Sequence, residues 1–144
     1  MIRDPEMLEQ LLDTIRNFVK NELVPLEHEV EESNAIPEHI VSQMKALGLF
    51  GLTIPEEYGG LGITMEEEIL VALELGQTSA AFRSLIGTNN GIGSSGILID
   101  GTDAQKQKYL PRYASGEYIG SFCLTEPDSG SDAAALKTSA TKDG

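Results

Sequence analysis

The residues of this chain best suited to chemistry lie together near its C-terminal end, in Phe122-Cys-Leu-Thr-Glu-Pro-Asp-Ser-Gly-Ser-Asp132. Residues 122–125 have the character of a short strand, and Pro127, which has no N–H to donate, ends the pairing. Residues 128–131 then bring hydroxyl and backbone N–H groups into one loop, where Gly130 permits a positive φ or a close approach of the backbone to a ligand. Such a loop suits an anion or the polar edge of a ring. The same residue types also make ordinary turns, so local chemistry leaves both interpretations open.

The composition indicates a folded acidic domain. The chain has 144 residues, of which 40% are hydrophobic, and its net charge of −13 comes from 23 acidic and 10 basic residues. Phosphate backbones are bound by clustered Lys and Arg, so this charge argues against a nucleic-acid partner. The cations Lys106, Lys108 and Arg112 do lie close together. Their helical spacing is typical of a solvated helix face rather than a phosphate site.

Cysteine usage and hydropathy favour a reducing compartment without a membrane anchor. Cys123 is the single cysteine, and its position in an apolar stretch predicts a buried thiol rather than a nucleophile. No segment approaches the roughly 20 apolar residues of a membrane span. Asp4, Glu6 and Glu9 are atypical of a targeting peptide. We therefore expect a cytoplasmic protein, or a mitochondrial matrix protein if it is eukaryotic and processed.

Start and stop signals divide the first part of the chain into helices. Helix starts are predicted at Asp4-Pro5, at Pro37, at the Thr64/Glu67 capping box, near Ser79, and at the Thr102/Gln105 capping box. The apolar face of the first helix comprises Leu8, Leu11, Leu12, Ile15, Phe18 and Val19. Pro25 is expected to kink or restart that helix, and Gly48 to end the one that starts at Pro37.

A helix is predicted from about Ser79 towards Ile99, although its glycines weaken it by up to about 1 kcal/mol each relative to Ala. Close packing against a partner helix or a ligand would offset that cost. Leu85, Thr88 and Ile92 occupy positions i, i+3 and i+7 and would therefore share one face. By its pattern, that face is typical of ordinary core packing.

The character of the chain changes after Gly116. Residues 118–124 favour a strand, and residues 133–144 read as a second strand that reaches a turn. The sequence thus predicts a mainly α protein, with an all-α domain over residues 1–116 and the beginning of a β domain over residues 117–144. Because two strands cannot bury a core, we expect the chain to be a fragment of a longer protein.

Two other patterns have weaker support. Gly91-Ile-Gly-Ser-Ser-Gly96 matches the dinucleotide-binding pattern G-x-G-x-x-G. The residues before it are too short and polar for the buried parallel strand that a nicotinamide site needs. Neither His28 nor His39 has a partner at convincing metal-ligand spacing, so we expect both to be surface residues and no metal to be bound.

The 122–132 segment resembles the flavin-binding signature of the acyl-CoA dehydrogenases, in which a strand ending in Thr-Glu-Pro leads into a Gly-Ser-Asp loop. Leu49-Phe-Gly-Leu-Thr-Ile-Pro-Glu-Glu-Tyr-Gly-Gly-Leu-Gly62 is similar to the segment after the third helix of that family. Asp103-Ala-Gln-Lys-Gln-Lys-Tyr-Leu-Pro111 is similar to the helix before the signature. The three blocks occur in the family's order and cover most of the chain. The resemblance implies the family's N-terminal helical bundle followed by the first strands of an incomplete β-barrel.

The resemblance also implies site residues. Phe122, Leu124 and Thr125 would contact the isoalloxazine ring of FAD, with donors near its pyrimidine edge. Gly130 and Ser131 would approach the pyrophosphate, and Ser131 would also contact acyl-CoA. Leu85, Thr88 and Ile92 would line the slot for the acyl chain. Asp128 stands where many relatives have Gly or Asn, and its carboxylate would be unfavourable beside phosphates unless it faces solvent.

The implied reaction converts an acyl-CoA thioester to a 2-enoyl-CoA, with electrons passing to the flavin. The carboxylate base of the family belongs to a C-terminal domain, so we assign no catalytic residue in this chain and expect it to be inactive alone. Implied partners are acyl-CoA, further copies of the subunit, and an electron-transfer flavoprotein. Alternatives are a flavin monooxygenase or acyl-CoA oxidase of the same fold, or a non-enzymatic helical interaction module.

Overall fold

A computed structural model describes Ile2 and residues 4–143. Seven α-helices form in this part of the chain: α1 Pro5–Phe18, α2 Glu27–Ser33, α3 Glu38–Ala46, α4 Met65–Leu75, α5 Ala80–Asn90, α6 Ile92–Asp100 and α7 Asp103–Ala114. Short 3₁₀ turns occur at Val24–Leu26, Leu49–Gly51, Glu56–Tyr58 and Ala133–Ala135, and a π-helical turn at Val19–Leu23. The prediction of a mainly α fold is confirmed.

Helix starts follow the predicted capping chemistry. The Asp4 carboxylate accepts hydrogen bonds from the N–H groups of Glu6 and Met7, 3.1 and 3.0 Å away. Both predicted capping boxes form, at Thr64 ahead of α4 and at Thr102 ahead of α7. These side chains satisfy N–H groups that have no partner inside the helix.

The ends of α1 and α3 also follow the sequence. The chain leaves α1 through the π-helical turn and then a 3₁₀ turn that contains Pro25, which can donate no hydrogen bond to the preceding turn. After α3, Gly48 adopts φ 72°, a left-handed conformation that suits glycine.

Most of the helices pack around one apolar core. Helix α1 packs against α4, α5 contacts both α6 and the Leu49–Gly51 turn, and α6 packs against α7. The residues buried in this core are Leu8, Leu12, Ile15, Phe18, Val19, Leu23, Val30, Ile40, Met44, Leu49, Phe50, Leu52, Val71, Leu75, Phe82 and Ile86. A smaller cluster joins Ile54 and Tyr58 to Leu110 and Ala114 of α7. The predicted apolar face of α1 is therefore the buried one, with Leu11 at its edge.

Asn90 fastens the loop after α3 to the end of α5. Its side chain is 4% exposed and donates to the carbonyls of Leu49 at 2.7 Å and Ile86 at 3.1 Å. Its Oδ1 accepts weakly from the N–H of Thr53, at 3.4 Å. The Thr53 hydroxyl donates to the Asn90 carbonyl. An irregular segment that passes through the interior thus obtains its hydrogen bonds from a side chain.

The single helix predicted from Ser79 to Ile99 is wrong. Gly91 takes φ −118° and ψ −118°, which lies outside the helical range, and separates α5 from α6. Its carbonyl accepts from the N–H of Ser95 at 3.0 Å and from the Ser95 hydroxyl at 2.7 Å, which caps the break. Leu85, Thr88 and Ile92 therefore do not occupy one continuous helix face.

The predicted strands are not confirmed. Within the described residues no strand forms, and the β-type pairing there is an isolated bridge between Glu126 and Ser129. A strand needs a second strand to pair with, and residues 119–125 have none within the described residues. Cys123, predicted to be buried, is exposed for the same reason. The domain boundary at residues 116 and 117 stays a prediction.

Within the described residues, no helix is both long and apolar enough to cross a lipid bilayer.

Helix α6 contains two glycines with opposite surroundings, which predict opposite effects of alanine. A Cβ at Gly93 would lie 2.7 Å from the Thr88 carbonyl oxygen, whereas a Cβ at Gly96 would have no neighbour within 4 Å. Gly96→Ala should raise the free energy of unfolding by up to about 1 kcal/mol through helix propensity. Gly93→Ala should lower it by about 1–3 kcal/mol because the backbone must shift. Urea unfolding of both variants checks this, and effects of the same sign would contradict the packing of α6 on α5.

Candidate functional site

The 122–132 segment contains a tight turn at its centre. Glu126 and Ser129 exchange backbone hydrogen bonds, with Glu126 N–H to Ser129 O at 2.8 Å and Ser129 N–H to Glu126 O at 3.2 Å. The Ser129 side chain is buried, and its hydroxyl donates to the carbonyl of Asp132. Pro127 and Asp128 thus occupy the corner of a closed turn, which confirms the turn that the sequence predicted.

The Glu126 side chain links this turn to residues 137 and 138. Its carboxylate accepts from the N–H of Lys137 at 2.9 Å, from the N–H of Thr138 at 2.8 Å, and from the Thr138 hydroxyl. The hydrogen bond from the Thr138 hydroxyl, followed by those from the two N–H groups, lowers the pKa of Glu126 below its ordinary value. Glu126 is therefore held as a carboxylate.

Asp128, the predicted departure from the family pattern, forms an exposed ion pair. Its Oδ2 lies 3.4 Å from Lys137 Nζ, and both side chains are more than 70% exposed. A solvated pair of this kind contributes little to stability. It nevertheless gives the carboxylate a cation and a solvent-facing position.

Residues 121–125 offer apolar side chains together with hydrogen-bond donors. Phe122 is 54% exposed and Leu124 is 37% exposed. No backbone N–H from Ser121 to Thr125, nor the Thr125 hydroxyl, makes a hydrogen bond to another described residue. An apolar face lined with free donors suits a flat ring that has a polar edge, so these residues fit the isoalloxazine system of FAD.

Gly130 and Ser131 form the exposed end of the loop. A Cβ at Gly130 would lie 3.7 Å from Thr125 Cγ2, an ordinary contact, and Gly130 has no positive φ. The fold itself therefore does not require glycine here. Ser131 is exposed and makes no hydrogen bond to another described residue, so its hydroxyl and N–H are accessible.

Of the three residues predicted to line an acyl slot, Thr88 lies beside the chain that leads to residue 122. A Cβ at Gly120 would lie 3.4 Å from Thr88 Cγ2. Leu85 packs against the main core, and Ile92 is 58% exposed on α6. Ordinary core packing thus accounts for Leu85, while Thr88 lies between α6 and the chain leading to residue 122.

Asn89 and Glu126 are the site residues for which the sequence suggested no role. The Asn89 side-chain amide bonds to the segment 113–120 and is completely buried. An asparagine near the end of an amphipathic helix is a poor helix former, and that mismatch is the signal that could have revealed it. The role of Glu126 depends on where residues 137 and 138 return, which no local pattern predicts.

The remaining candidates lie on the surface. His28 and His39 are exposed, as predicted. In the part of the chain that the structure describes, no three His, Cys, Asp or Glu side chains gather as a metal site would require. Arg112 hydrogen-bonds the Tyr118 hydroxyl, which raises the pKa of Arg112. It therefore anchors the chain after α7 instead of serving only as a solvated cation.

Comparison with known proteins identifies the same family as the motifs. The family model for "Acyl-CoA dehydrogenase, N-terminal domain" matches residues 5–117. An acyl-CoA dehydrogenase of Bacillus subtilis (strain 168) is 38% identical over 128 residues, which are 89% of this chain and 34% of the relative.

Two solved structures support the fold. The structure of glutaryl-CoA dehydrogenase in complex with glutaryl-CoA has 36% identity and a TM-score of 0.82, covering 94% of this chain and 35% of that chain. The acyl-CoA dehydrogenase of Bacillus anthracis complexed with FAD has 34% identity and a TM-score of 0.74, covering 94% of this chain and 24% of that chain.

The matches also agree in how much of each relative this chain covers. The chain spans about a third of the length of the Bacillus subtilis relative, and the family match covers α1 to α7. This chain belongs to the acyl-CoA dehydrogenase family.

Proposed function

We propose that this chain forms the helical part and the first flavin-contacting segment of an FAD-dependent acyl-CoA dehydrogenase. The complete enzyme would oxidise an acyl-CoA thioester to a 2-enoyl-CoA. The observation that carries this proposal is the set of free donors and exposed apolar side chains in residues 121–125. Those groups precede a closed turn and are suited to a ring with an electron-rich polar edge.

Each residue of the segment has a defined task in this proposal. Phe122 and Leu124 provide apolar contact for the isoalloxazine ring. The Thr125 hydroxyl and the neighbouring N–H groups donate to its pyrimidine edge. When bound, FAD accepts the hydride that leaves the substrate. Donors at that edge stabilise the electron-rich reduced ring, so Thr125 would help to set the reduction potential.

The end of the loop is assigned to phosphate and substrate. Gly130 leaves room for the FAD pyrophosphate to approach the backbone, and the Ser131 hydroxyl and N–H are placed to donate to it and to acyl-CoA. The Asp128 carboxylate, directed towards Lys137, does not oppose this binding. Glu126 shapes the loop without facing the anion, because its oxygens are occupied by residues 137 and 138.

The substrate contacts and the base complete the proposal. Thr88 lies beside the chain that leads to residues 121–125, the proposed flavin contacts. Leu85 and Ile92 would extend the acyl slot along α5 and α6. The reaction also needs a carboxylate that removes the proton next to the thioester. We expect the full-length protein to supply it from outside these 144 residues, and we assign no catalytic residue within them.

Subunit and redox partners belong to the same proposal. Met65, Ile69 and Leu73 are exposed along one side of α4, and this apolar stripe supports contact with another subunit or domain. We propose a homo-oligomer that passes electrons to an electron-transfer flavoprotein, in the cytoplasm or the mitochondrial matrix.

The proposed activity is tested with the full-length protein. It should bind FAD, and acyl-CoA thioesters should bleach the flavin absorbance anaerobically with formation of 2-enoyl-CoA. Slow reoxidation by O₂ but rapid reoxidation by an electron-transfer flavoprotein separates a dehydrogenase from an oxidase. A full-length protein that retains no flavin after incubation with excess FAD and removal of the free cofactor would exclude this function.

Gly130→Ala should separate ligand binding from folding. The added Cβ makes only an ordinary contact with Thr125, so the melting temperature of the full-length protein should not change. If the pyrophosphate approaches the backbone here, the methyl group should weaken FAD binding by about tenfold or more, which corresponds to ~1.4 kcal/mol. Fluorescence titration with FAD measures this, and Gly96→Ala is the matched control on α6. Unchanged affinity in the Gly130→Ala protein would contradict the pyrophosphate assignment.

Glu126 should make the fold of the loop dependent on pH. Because the folded state lowers the pKa of Glu126, its contribution to stability is complete above the ordinary glutamate pKa and is lost as the pH falls through the lowered value. Glu126→Gln should therefore expose residues 133–141 to faster amide exchange at neutral pH and resemble the wild type in acid. Hydrogen exchange with mass spectrometry across this pH range tests the prediction. A variant difference that persists undiminished in acid would refute it.

A further inference from the structure

Asn89 occupies an unusual position at the end of α5. Its side chain is 0% exposed, and it directly follows Thr88, which packs beside Gly120. A buried amide has a high cost unless its donors and acceptor all find partners. The hydrogen-bond partners of Asn89 therefore indicate its role.

All three hydrogen-bonding functions of Asn89 point at one short stretch of chain. Its Nδ2 donates to the carbonyls of Tyr113 at 3.0 Å and Tyr118 at 2.8 Å. Its Oδ1 accepts from the N–H of Gly120 at 2.8 Å. The amide therefore ties the end of α7, and the chain that follows it, to the end of α5.

Gly120 is the last anchored residue before the proposed flavin contacts. Residues 121–125 make no backbone hydrogen bond to another described residue, and the next fixed point is the turn at Glu126. Asn89 consequently anchors one end of residues 121–125. The hydrogen bonds that Glu126 accepts from residues 137 and 138 anchor the other end.

Close packing leaves no room for a side chain at Gly120, so the position of the backbone there is tightly constrained. A Cβ there would lie 2.7 Å from Tyr113 Cε1 and 3.4 Å from Thr88 Cγ2. The segment therefore runs directly against the residue that we assign to the substrate slot. Loss of the Asn89 bonds would change the separation between the slot and the flavin segment.

We propose that Asn89 is a positioning residue for the flavin site, whose side-chain amide holds residues 118–120 against α5 and so aligns residues 121–125 with the acyl slot. This inference rests on the proposed function. Asn89 would have no contact with the reacting atoms in this role, because both its N–H donors and its Oδ1 bond to backbone groups of residues 113–120. It acts only through the segment that it holds.

Asn90 provides a matched control one residue away. It is almost as buried as Asn89 and its amide also bonds to backbone groups, but these belong to residues 49–53 and Ile86. Alanine at either position leaves buried backbone groups without partners and should destabilise the protein. Only the Asn89 variant should disturb the flavin segment.

The experiment compares full-length Asn89→Ala and Asn90→Ala proteins with the wild type. Hydrogen exchange should accelerate about tenfold in peptides covering residues 117–120, where the N–H groups of Tyr118 and Gly120 are hydrogen-bonded, only in Asn89→Ala. FAD affinity should fall about tenfold or more in Asn89→Ala and by less than about threefold in Asn90→Ala, although both melt earlier. In the flavin-saturated enzyme, Asn89→Ala should lower kcat more than it raises KM, since alignment rather than substrate binding is lost.

Gly120→Ala keeps the test decisive if Asn89→Ala does not fold. The added methyl group presses the segment away from Tyr113 while Asn89 remains intact, so it should reproduce the loss of FAD affinity. Equal effects of Asn89→Ala and Asn90→Ala on exchange and on FAD binding, in proportion to their stability, would overturn the inference. If the wild type binds no FAD, the proposed function fails. Unchanged exchange at residues 117–120 in Asn89→Ala would separately show that Asn89 does not hold this stretch.

Discussion

The architecture depends on two neighbouring buried amides, Asn89 and Asn90, which supply hydrogen bonds that irregular chain cannot make for itself. Residues 49–53 run through the interior and residues 115–120 follow α7 past the end of α5, both outside regular α-helix. Each buried polar group left without a partner there would cost about 1–3 kcal/mol, comparable to a large fraction of the stability of a domain. Asn90 serves the first segment and Asn89 the second. Both segments are therefore held against the end of α5.

This arrangement explains how a helical domain can position a loop that is itself mostly exposed. The 122–132 segment buries little beyond Ser129, so apolar packing cannot determine where it lies. Its placement comes instead from hydrogen bonds at its two ends. The N–H of Gly120 donates to Asn89, and the N–H groups of residues 137 and 138 donate to Glu126. The middle remains available for a ligand. Anchored ends with free donors between them are what a cofactor site requires, because preorganised donors need no rearrangement on binding.

The parts of this fold that were predictable from sequence are those that local chemistry decides. Helix starts at Asp4, Thr64 and Thr102 follow from side chains that reach N–H groups two or three residues away, and the apolar periodicity of α1 identified its buried face. The break at Gly91 was missed because glycine weakens a helix without indicating where it will end, and tertiary packing decides that. The site was predictable as a loop from its Ser, Gly, Asp and Pro content. Its anchors were not, since Asn89 and its partners are 24 to 31 residues apart.

The absence of a strand at residues 121–125 and the free donors that we assign to flavin have one cause: the N–H groups of these residues have no partner among the described residues. Successive N–H groups along a strand point to opposite sides, so a neighbouring strand would use only alternate donors among residues 121–125. The others would remain for a ring that packs on Phe122 and Leu124. Under the proposed function, a segment that carries a cofactor beside a substrate must keep the distance between them constant. The hydrogen bonds of Asn89 would then serve two purposes, because they satisfy backbone groups of the chain after α7 and also fix the start of residues 121–125 relative to Thr88.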